Sequence, residues 1–327
     1  MRCELSTAGN RNAMQNFRKL FMTANFDTET RSAQIVQTSP GNWQVFAPAK
    51  INLNLLVGPL RKDGFHPVDS VVSKISLYDT LQICEQSGQG DIDFSCAGFD
   101  AGPDSDNLVV RACKIGNSLA ANQGIEPVSL RISLAKNIPT GAGLGGGSSD
   151  AAAILSWYKM RYNLQISDAD LFAHAAILGS DVPLFLAGVS SRMTGRGEII
   201  APVTLADFFI LLFMPELHCP TGPVYKQYDS NPREITDAPT QKDWLADSKT
   251  WHEFLVNDLA APALAVIPKL AKVKTRFETL TKKQAFITGS GSAMFQIYPS
   301  IKSAQTILES LPEDIASRCA VASQNPW

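Results

Sequence analysis

Residues 141–147 read Gly-Ala-Gly-Leu-Gly-Gly-Gly, five glycines in seven positions, and no other feature of this 327-residue chain limits its fold more. The run sits within Pro139–Ser149. It follows an alternating segment, Val128–Leu134, and precedes a stretch whose residues 151, 155, 158 and 162 share one helical face. Alternation with period two predicts a strand, and the three-and-four spacing predicts a helix over 150–164. Glycine permits positive φ and close approach of the backbone to a ligand. The helix that follows offers unpaired N–H groups and the positive end of its dipole, so the unit predicts an anion site of phosphate type. A plain turn or linker needs one or two glycines, not five. Ser148 and Ser149 add hydroxyls suited to capping the helix or to phosphate and magnesium.

Two kinds of phosphate loop compete for this pattern. Gly141, Gly143 and Gly146 spell G-x-G-x-x-G, which fits a dinucleotide-binding domain. That domain wants an acidic residue at the end of the next strand, about 20 residues on. Here residues 164–170 instead open a second helix, announced by the capping-box pattern Ser167-Asp-Ala-Asp170 and ending near Gly179. No GxxxxGK[ST] occurs, which excludes a P-loop. By itself the loop implies phosphate and leaves the reaction open.

The rest of the chain mixes strands and helices without a steady βαβ rhythm, which predicts an α+β fold. In Lys50–Val57 the apolar residues 51, 53, 55 and 57 alternate with polar ones, a half-buried strand with Lys50, Asn52 and Asn54 on its other face. A turn at Arg61–Gly64, an extended stretch at 71–83 and a helix over 106–121 follow. Beyond a composition change at 192–198 come a buried strand (207–214), a polar connection (229–249), helices over 251–280 and a Gly/Ser loop at 288–292. These features divide the chain into 41–199 and 200–327. Residues 1–40 are polar and weakly patterned and are expected to be a disordered extension or translation from an upstream start, with Met14 and Met22 as alternatives.

Composition narrows the function classes. With 45% apolar and 18% charged residues the chain can build a proper core. A net charge of −2, from 29 basic and 31 acidic residues, is not that of a nucleic-acid binder. The apolar run 208–214 is far short of the ~20 residues a bilayer span needs, so no membrane association is expected. Six cysteines, none close enough to another for a metal clip, read as reduced thiols and predict a cytoplasmic protein.

The run PTGAGLGGGSSDAAA at 139–153 closely resembles the phosphate-loop motif of the GHMP kinases. Ala47-Pro-Ala-Lys-Ile-Asn52 resembles that family's N-terminal strand motif, and Thr288-Gly-Ser-Gly-Ser292 its C-terminal glycine motif. Further segments (Arg61–His66, Asp106–Val109, Gly179–Phe185, Gly195–Glu198 and Val256–Leu259) resemble one branch of the family. That branch phosphorylates a cytidine-diphosphate sugar alcohol in isoprenoid precursor biosynthesis. The resemblance runs in order from about residue 43 to the C-terminus. It implies an N-terminal α/β domain with a left-handed βαβ unit, a ferredoxin-like C-terminal domain, and a site between them. Right-handed crossovers are the general rule, so patterning does not predict that hand.

The resemblance also implies roles. Lys50 and Asp181 would form the catalytic pair. ATP, accompanied by Mg2+, would lie on Pro139, Thr140, Gly141, Ala142, Gly143, Leu144, Gly145, Gly146, Gly147, Ser148 and Ser149, with Asn107 and Lys136 near the adenine. Asn52, Phe65, His66 and Tyr225 would bind the acceptor, with the cytosine between Phe65–His66 and Tyr225. No acidic protein ligand is assigned to the metal. Read from the residues alone, Asp181 before Val182-Pro183 is an N-cap, and Lys50 is a charge on a polar strand face. Three positions depart from the family pattern: Phe65 stands for the usual Tyr, Pro67 for Glu or Thr, and Ala260 for Glu. The first two fall in the substrate loop and bear on acceptor choice. Another GHMP-type kinase with a different acceptor, or a non-catalytic nucleotide-binding module, remains open at this point.

Overall fold

The computed structural model describes residues 35–100, 106–126, 128–187, 190–236 and 238–324. The chain begins with β1 (Ile35–Ser39), β2 (Asn42–Asn52), β3 (Leu56–Val57), β4 (Val68–Gln86) and β5 (Ile92–Gly98). Next come α1 (Leu108–Ala121), β6 (Ser129–Lys136), α2 (Gly146–Arg161), α3 (Asp168–Leu178), α4 (Val182–Leu186), β7 (Ser190–Thr194) and β8 (Ile199–Pro202). The remainder is β9 (Phe209–Phe213), α5 (Thr221–Tyr228), α6 (Gln241–Leu245), a 3-10 turn (Ser248–Glu253), α7 (Ala260–Val266), α8 (Pro268–Thr281), β10 (Phe286–Ile287), β11 (Met294–Tyr298), α9 (Ile301–Ser310), α10 (Glu313–Ala316) and β12 (Cys319–Ser323).

The first sheet has the order β1-β2-β4-β6-β5, with β3 and β7 also on β4, and β8 on β7. Its parallel pair, β5 and β6, is joined through α1, which is the expected βαβ unit. The second sheet has the order β10-β11-β9-β12, antiparallel throughout. Numbered by their own sequence, those strands run 2-3-1-4 with helices after the first and third, which is the ferredoxin-like arrangement. The chain is α+β, as its element pattern predicts.

Burial explains the strand composition. Val45, Leu81, Ile132 and Leu134 of the first sheet pack with α1 and α2. Ala49, Ile51 and Ile75 turn to the other side and meet Ile210 and Leu212 of β9. Leu211 and Phe213 of β9 point away, into a third core with α7 and α8. A strand covered on both faces reads as a continuous apolar run, which is why 209–213 is Phe-Ile-Leu-Leu-Phe.

Three boundaries differ from the sequence reading. Residues 35–39, assigned to the extension, pair with β2, because a hairpin turning at Pro40–Gly41 lets Ile35 pack on the first core; residues 1–34 lie outside the described residues. The division at 200 falls inside the β7–β8 hairpin of the first sheet, and the second sheet begins at Phe209. The strand proposed over 50–57 ends at Asn52 and resumes at Leu56, and its polar face is buried, with Lys50, Asn52 and Asn54 all under 8% exposed.

Gly116 sets the distance between α1 and α2. A Cβ there would lie 2.4 Å from the Tyr158 ring. Alanine at a helix interior gains about 1 kcal/mol over glycine, whereas overpacking a filled core costs about 1–3 kcal/mol. The clash is with a buried ring anchored by its hydroxyl on Asn117 (2.7 Å), so overpacking wins. Gly116→Ala is expected to lower the unfolding free energy by up to about 2 kcal/mol in urea titration, and a raised midpoint would show that the helices part freely.

Candidate active site

Pro48 stands in the middle of β2, where it cannot donate to the ladder, and prolines in central strands sit at irregularities. The β2–β4 register indeed shifts between Pro48 and Ala49. Beyond the shift, β2 carries Lys50 to the glycine loop, where its N–H donates to the Leu144 carbonyl (2.9 Å). The Lys50 ammonium donates to Asn52 Oδ1 at 2.6 Å. Asn52 Nδ2 donates to Ser70 Oγ (2.8 Å), and its backbone N–H to Thr288 Oγ1 (2.9 Å). Ser70 Oγ donates in turn to the Asn54 carbonyl at 2.5 Å. Burial pulls the Lys50 pKa below the ordinary value of 10.5, and the negative charge of Asp181 pulls it part of the way back.

Asp181 directly precedes α4 but does not act as its cap: its side chain makes no capping hydrogen bond. Pro183 preorganises the first turn. The other end is held by Lys74, whose ammonium donates to the carbonyls of Phe185 (2.9 Å) and Ala187 (2.7 Å). Burial lowers the pKa of Lys74 to about 8. The carboxylate of Asp181 is therefore presented by a pinned helix while its oxygens stay uncommitted to that helix.

Lys50 and Asp181 line one cavity of about 1250 Å³, together with Asn52, Gly141, Gly143 and Gly145. Gly289 and Ser290, from the 288–292 loop, line it as well. The two glycine loops touch. Gly143, at φ +80°, would bring a Cβ to 2.4 Å from the Thr288 carbonyl oxygen, a backbone atom that cannot move aside. Gly145 begins the helix, so α2 starts at Gly146, earlier than the side-chain pattern predicts, and its first N–H groups belong to the loop itself. Thr140 Oγ1 donates to the Asp100 carbonyl (2.7 Å), Ala142 accepts from Ala293 N–H (3.0 Å), and Pro139 is half-buried. Gly147 is exposed and Ser148 half-buried. Ser149 Oγ is buried with no hydrogen-bond partner.

Phe65, His66 and Tyr225 line the same cavity, but not as two opposed walls. The His66 and Tyr225 rings are already in contact, with centroids 5.1 Å apart, so no base fits between them. His66 Nδ1 donates to the Gly58 carbonyl (2.9 Å), while Nε2 lies 3.3 Å from Asp229 Oδ1. His66 thus buttresses Tyr225, while Phe65 is 51% exposed. The guanidinium of Arg196, unassigned by the sequence reading, lies 4.7 Å from the Phe65 ring centroid.

Two residues expected beside the adenine have partners within the protein. Asn107 Oδ1 accepts from Val109 N–H (2.9 Å) and caps α1. The Lys136 ammonium is buried between Asp79 and Asp150; a cation so enclosed is not offered to a base. Asp79 was missed, although a lone acid in the apolar run 71–83 is the kind of signal that marks a buried partner.

This fold and cavity define a GHMP kinase. The family model described as the GHMP kinases N terminal domain matches residues 107–189. The chain is 36% identical over 275 residues to 4-diphosphocytidyl-2-C-methyl-D-erythritol kinase of Solidesulfovibrio magneticus, covering 81% of this chain and 91% of that one. It is 35% identical over 266 residues to the Thermus thermophilus enzyme of the same name, again covering 81% and 91%. A crystal structure of 4-(cytidine 5'-diphospho)-2C-methyl-D-erythritol kinase superposes with a TM-score of 0.69 at 31% identity, over 86% of this chain and 99% of that chain. A mevalonate kinase structure at 12% identity and TM-score 0.55 shares the fold. The chain belongs to the 4-diphosphocytidyl-2-C-methyl-D-erythritol kinase family. Among the described residues no helix is long and apolar enough to cross a membrane.

The environment of Lys50 sets a pH test. A lysine whose pKa is lowered loses its proton as pH rises, below the ordinary 10.5. The alkaline limb of kcat/KM is therefore expected below that value, and Lys50→Arg, which stays protonated, is expected to abolish the limb while lowering the rate. An unchanged limb in the arginine variant would assign it to another group.

Proposed function

We propose that this kinase transfers the γ-phosphoryl group of ATP to the 2-hydroxyl of 4-diphosphocytidyl-2-C-methyl-D-erythritol, a step in isoprenoid precursor supply. The observation that carries the reading is that Lys50 and Asp181 open onto the same cavity as Gly141, Gly143 and Gly145. Phosphoryl transfer needs in-line positioning and charge neutralisation more than covalent chemistry from the protein. The triphosphate would lie against the loop N–H groups and the start of α2. Asp181 would take the proton of the acceptor hydroxyl as its oxygen bonds to phosphorus and the bond to ADP breaks. Lys50, held by Asn52, would stabilise the charge developing on the transferring group and lower the pKa of the hydroxyl.

Magnesium accompanying the nucleotide would supply neutralisation of the phosphate charge. The chain's suited oxygens are the hydroxyls of Ser148 and of Ser149, whose Oγ lacks a hydrogen-bond partner. The acceptor's cytosine would stack on Phe65, with Tyr225 supported by His66 as the neighbouring wall. Phe65 lacks the hydroxyl of the usual tyrosine but keeps its stacking face, worth about 1–3 kcal/mol per base.

General acid–base groups are worth about 10²–10⁴-fold in rate. Asp181→Asn and Lys50→Ala are expected to lose activity on that scale while binding ATP with nearly native affinity; native-like turnover in either would remove it from the mechanism. In a coupled ADP-release assay, the diphosphocytidyl substrate is expected to be turned over in preference to mevalonate, homoserine and galactose. Preference for one of those three would keep the kinase and replace its acceptor.

A further inference from the structure

Among the described residues, the most heavily buried charges lie behind the glycine loop and not along the cavity wall. Asp79 of β4, Lys136 at the end of β6 and Asp150 of α2 have side chains no more than 2% exposed. The Lys136 ammonium donates to Asp79 Oδ2 and to Asp150 Oδ2, the latter at 2.8 Å. Asp79 Oδ1 accepts the N–H groups of Asn137 (2.6 Å) and Ile138 (2.8 Å), and Asn137 Nδ2 donates to the Tyr78 carbonyl (2.9 Å).

These bonds close a ring around the loop. Residues 137–138 lead into the 139–149 segment and Asp150 leads out of it, so one buried cation and one carboxylate fasten both of its ends to β4. The packing is tight enough to need a glycine: a Cβ at Gly146 would lie 2.7 Å from Lys136 Nζ. Gly146 is also the first residue of α2, so the ammonium sits against the start of that helix.

We infer that Asp79, Lys136 and Asp150 are positioning residues for nucleotide phosphates, a clasp that sets where the loop and the first turn of α2 stand. The inference rests on the kinase reading above. Two carboxylates against one ammonium leave one negative charge in excess, and burial, with the charge of Asp79 adding to it, raises the Asp150 pKa well above its usual value. Asp150 Oδ2 accepts from the Lys136 ammonium, while Oδ1 is buried without a partner. Asparagine keeps the size and the acceptor oxygen; leucine keeps the size and removes the acceptor.

The test compares Asp150→Asn with Asp150→Leu, and adds Lys136→Met/Asp79→Asn, which removes the cation together with one of its two counter-charges and so spares the fold an unpaired Asp79 carboxylate. ATP affinity is measured by calorimetry without acceptor, and KM values for ATP and acceptor by ADP release. The expected result is an ATP Kd and KM at least tenfold higher in Asp150→Leu than in Asp150→Asn. The double variant is expected to keep its melting temperature near native and still show a tenfold rise for ATP, with acceptor KM within twofold in all three. If the folded double variant and Asp150→Leu bind ATP within twofold of the native chain, the cluster is only structural and the inference falls while the kinase reading stands. If the native chain itself binds no ATP, the kinase reading fails and the inference with it.

Discussion

The missing Cβ of Gly143 is the constraint on which this cavity depends. Its α-carbon lies against the Thr288 carbonyl, so the glycine loop of the first sheet and the 288–292 loop of the second are in backbone contact. Around that contact the chain is stitched by hydrogen bonds between distant segments: Asn52 N–H to Thr288 Oγ1, Ala293 N–H to the Ala142 carbonyl, and Asn257 Nδ2 to the carbonyls of Ile287 (2.7 Å) and Gly289 (2.8 Å). Each removes a buried polar group from the cost it would carry unpaired. Any side chain at 143 would push apart two backbones and lengthen all of these bonds at once.

The electrostatics of the site follow from the same enclosure. Lys50 is desolvated, which weakens its hold on its proton, and it is kept in place by Asn52, whose amide is itself fixed by Ser70. Asp181 is presented by a five-residue helix too short to be stable alone, held at its far end by Lys74. A charge in such surroundings acts more strongly on a developing phosphoryl charge than it would in water. The cavity thus combines a rigid anion cradle with two opposite charges that are supported by neighbours and not spent on each other.

Much of this is legible along the chain because it is local. Five glycines before an amphipathic run mark the loop, Ser167 marks the start of α3, where its Oγ accepts from Asp170 N–H, and the alternation of Ser129–Lys136 marks β6. The alternation at 51 and 53 marks a strand as well, but not what covers its polar face. Lys50 and Asn52 look solvated from their spacing and are buried because the glycine loop and the 288–292 loop lie over them. His66 and Tyr225 read as opposed walls for a base, yet they touch, a relation between segments 159 positions apart that no local pattern encodes.

The sequence by itself determined the α+β class, the glycine loop between a strand and a helix and, through motif resemblance, the GHMP kinases. The reason is that backbone freedom at glycine and side-chain periodicity act within a few residues of their position. Only the tertiary structure decided that Asp181 is released from capping, that Lys136 serves Asp79 and Asp150, and that Ile35–Ser39 belongs to the sheet. Each of those outcomes depends on which charge, carbonyl or strand edge the fold brings alongside, and in a desolvated interior the nearest partner outweighs intrinsic preference.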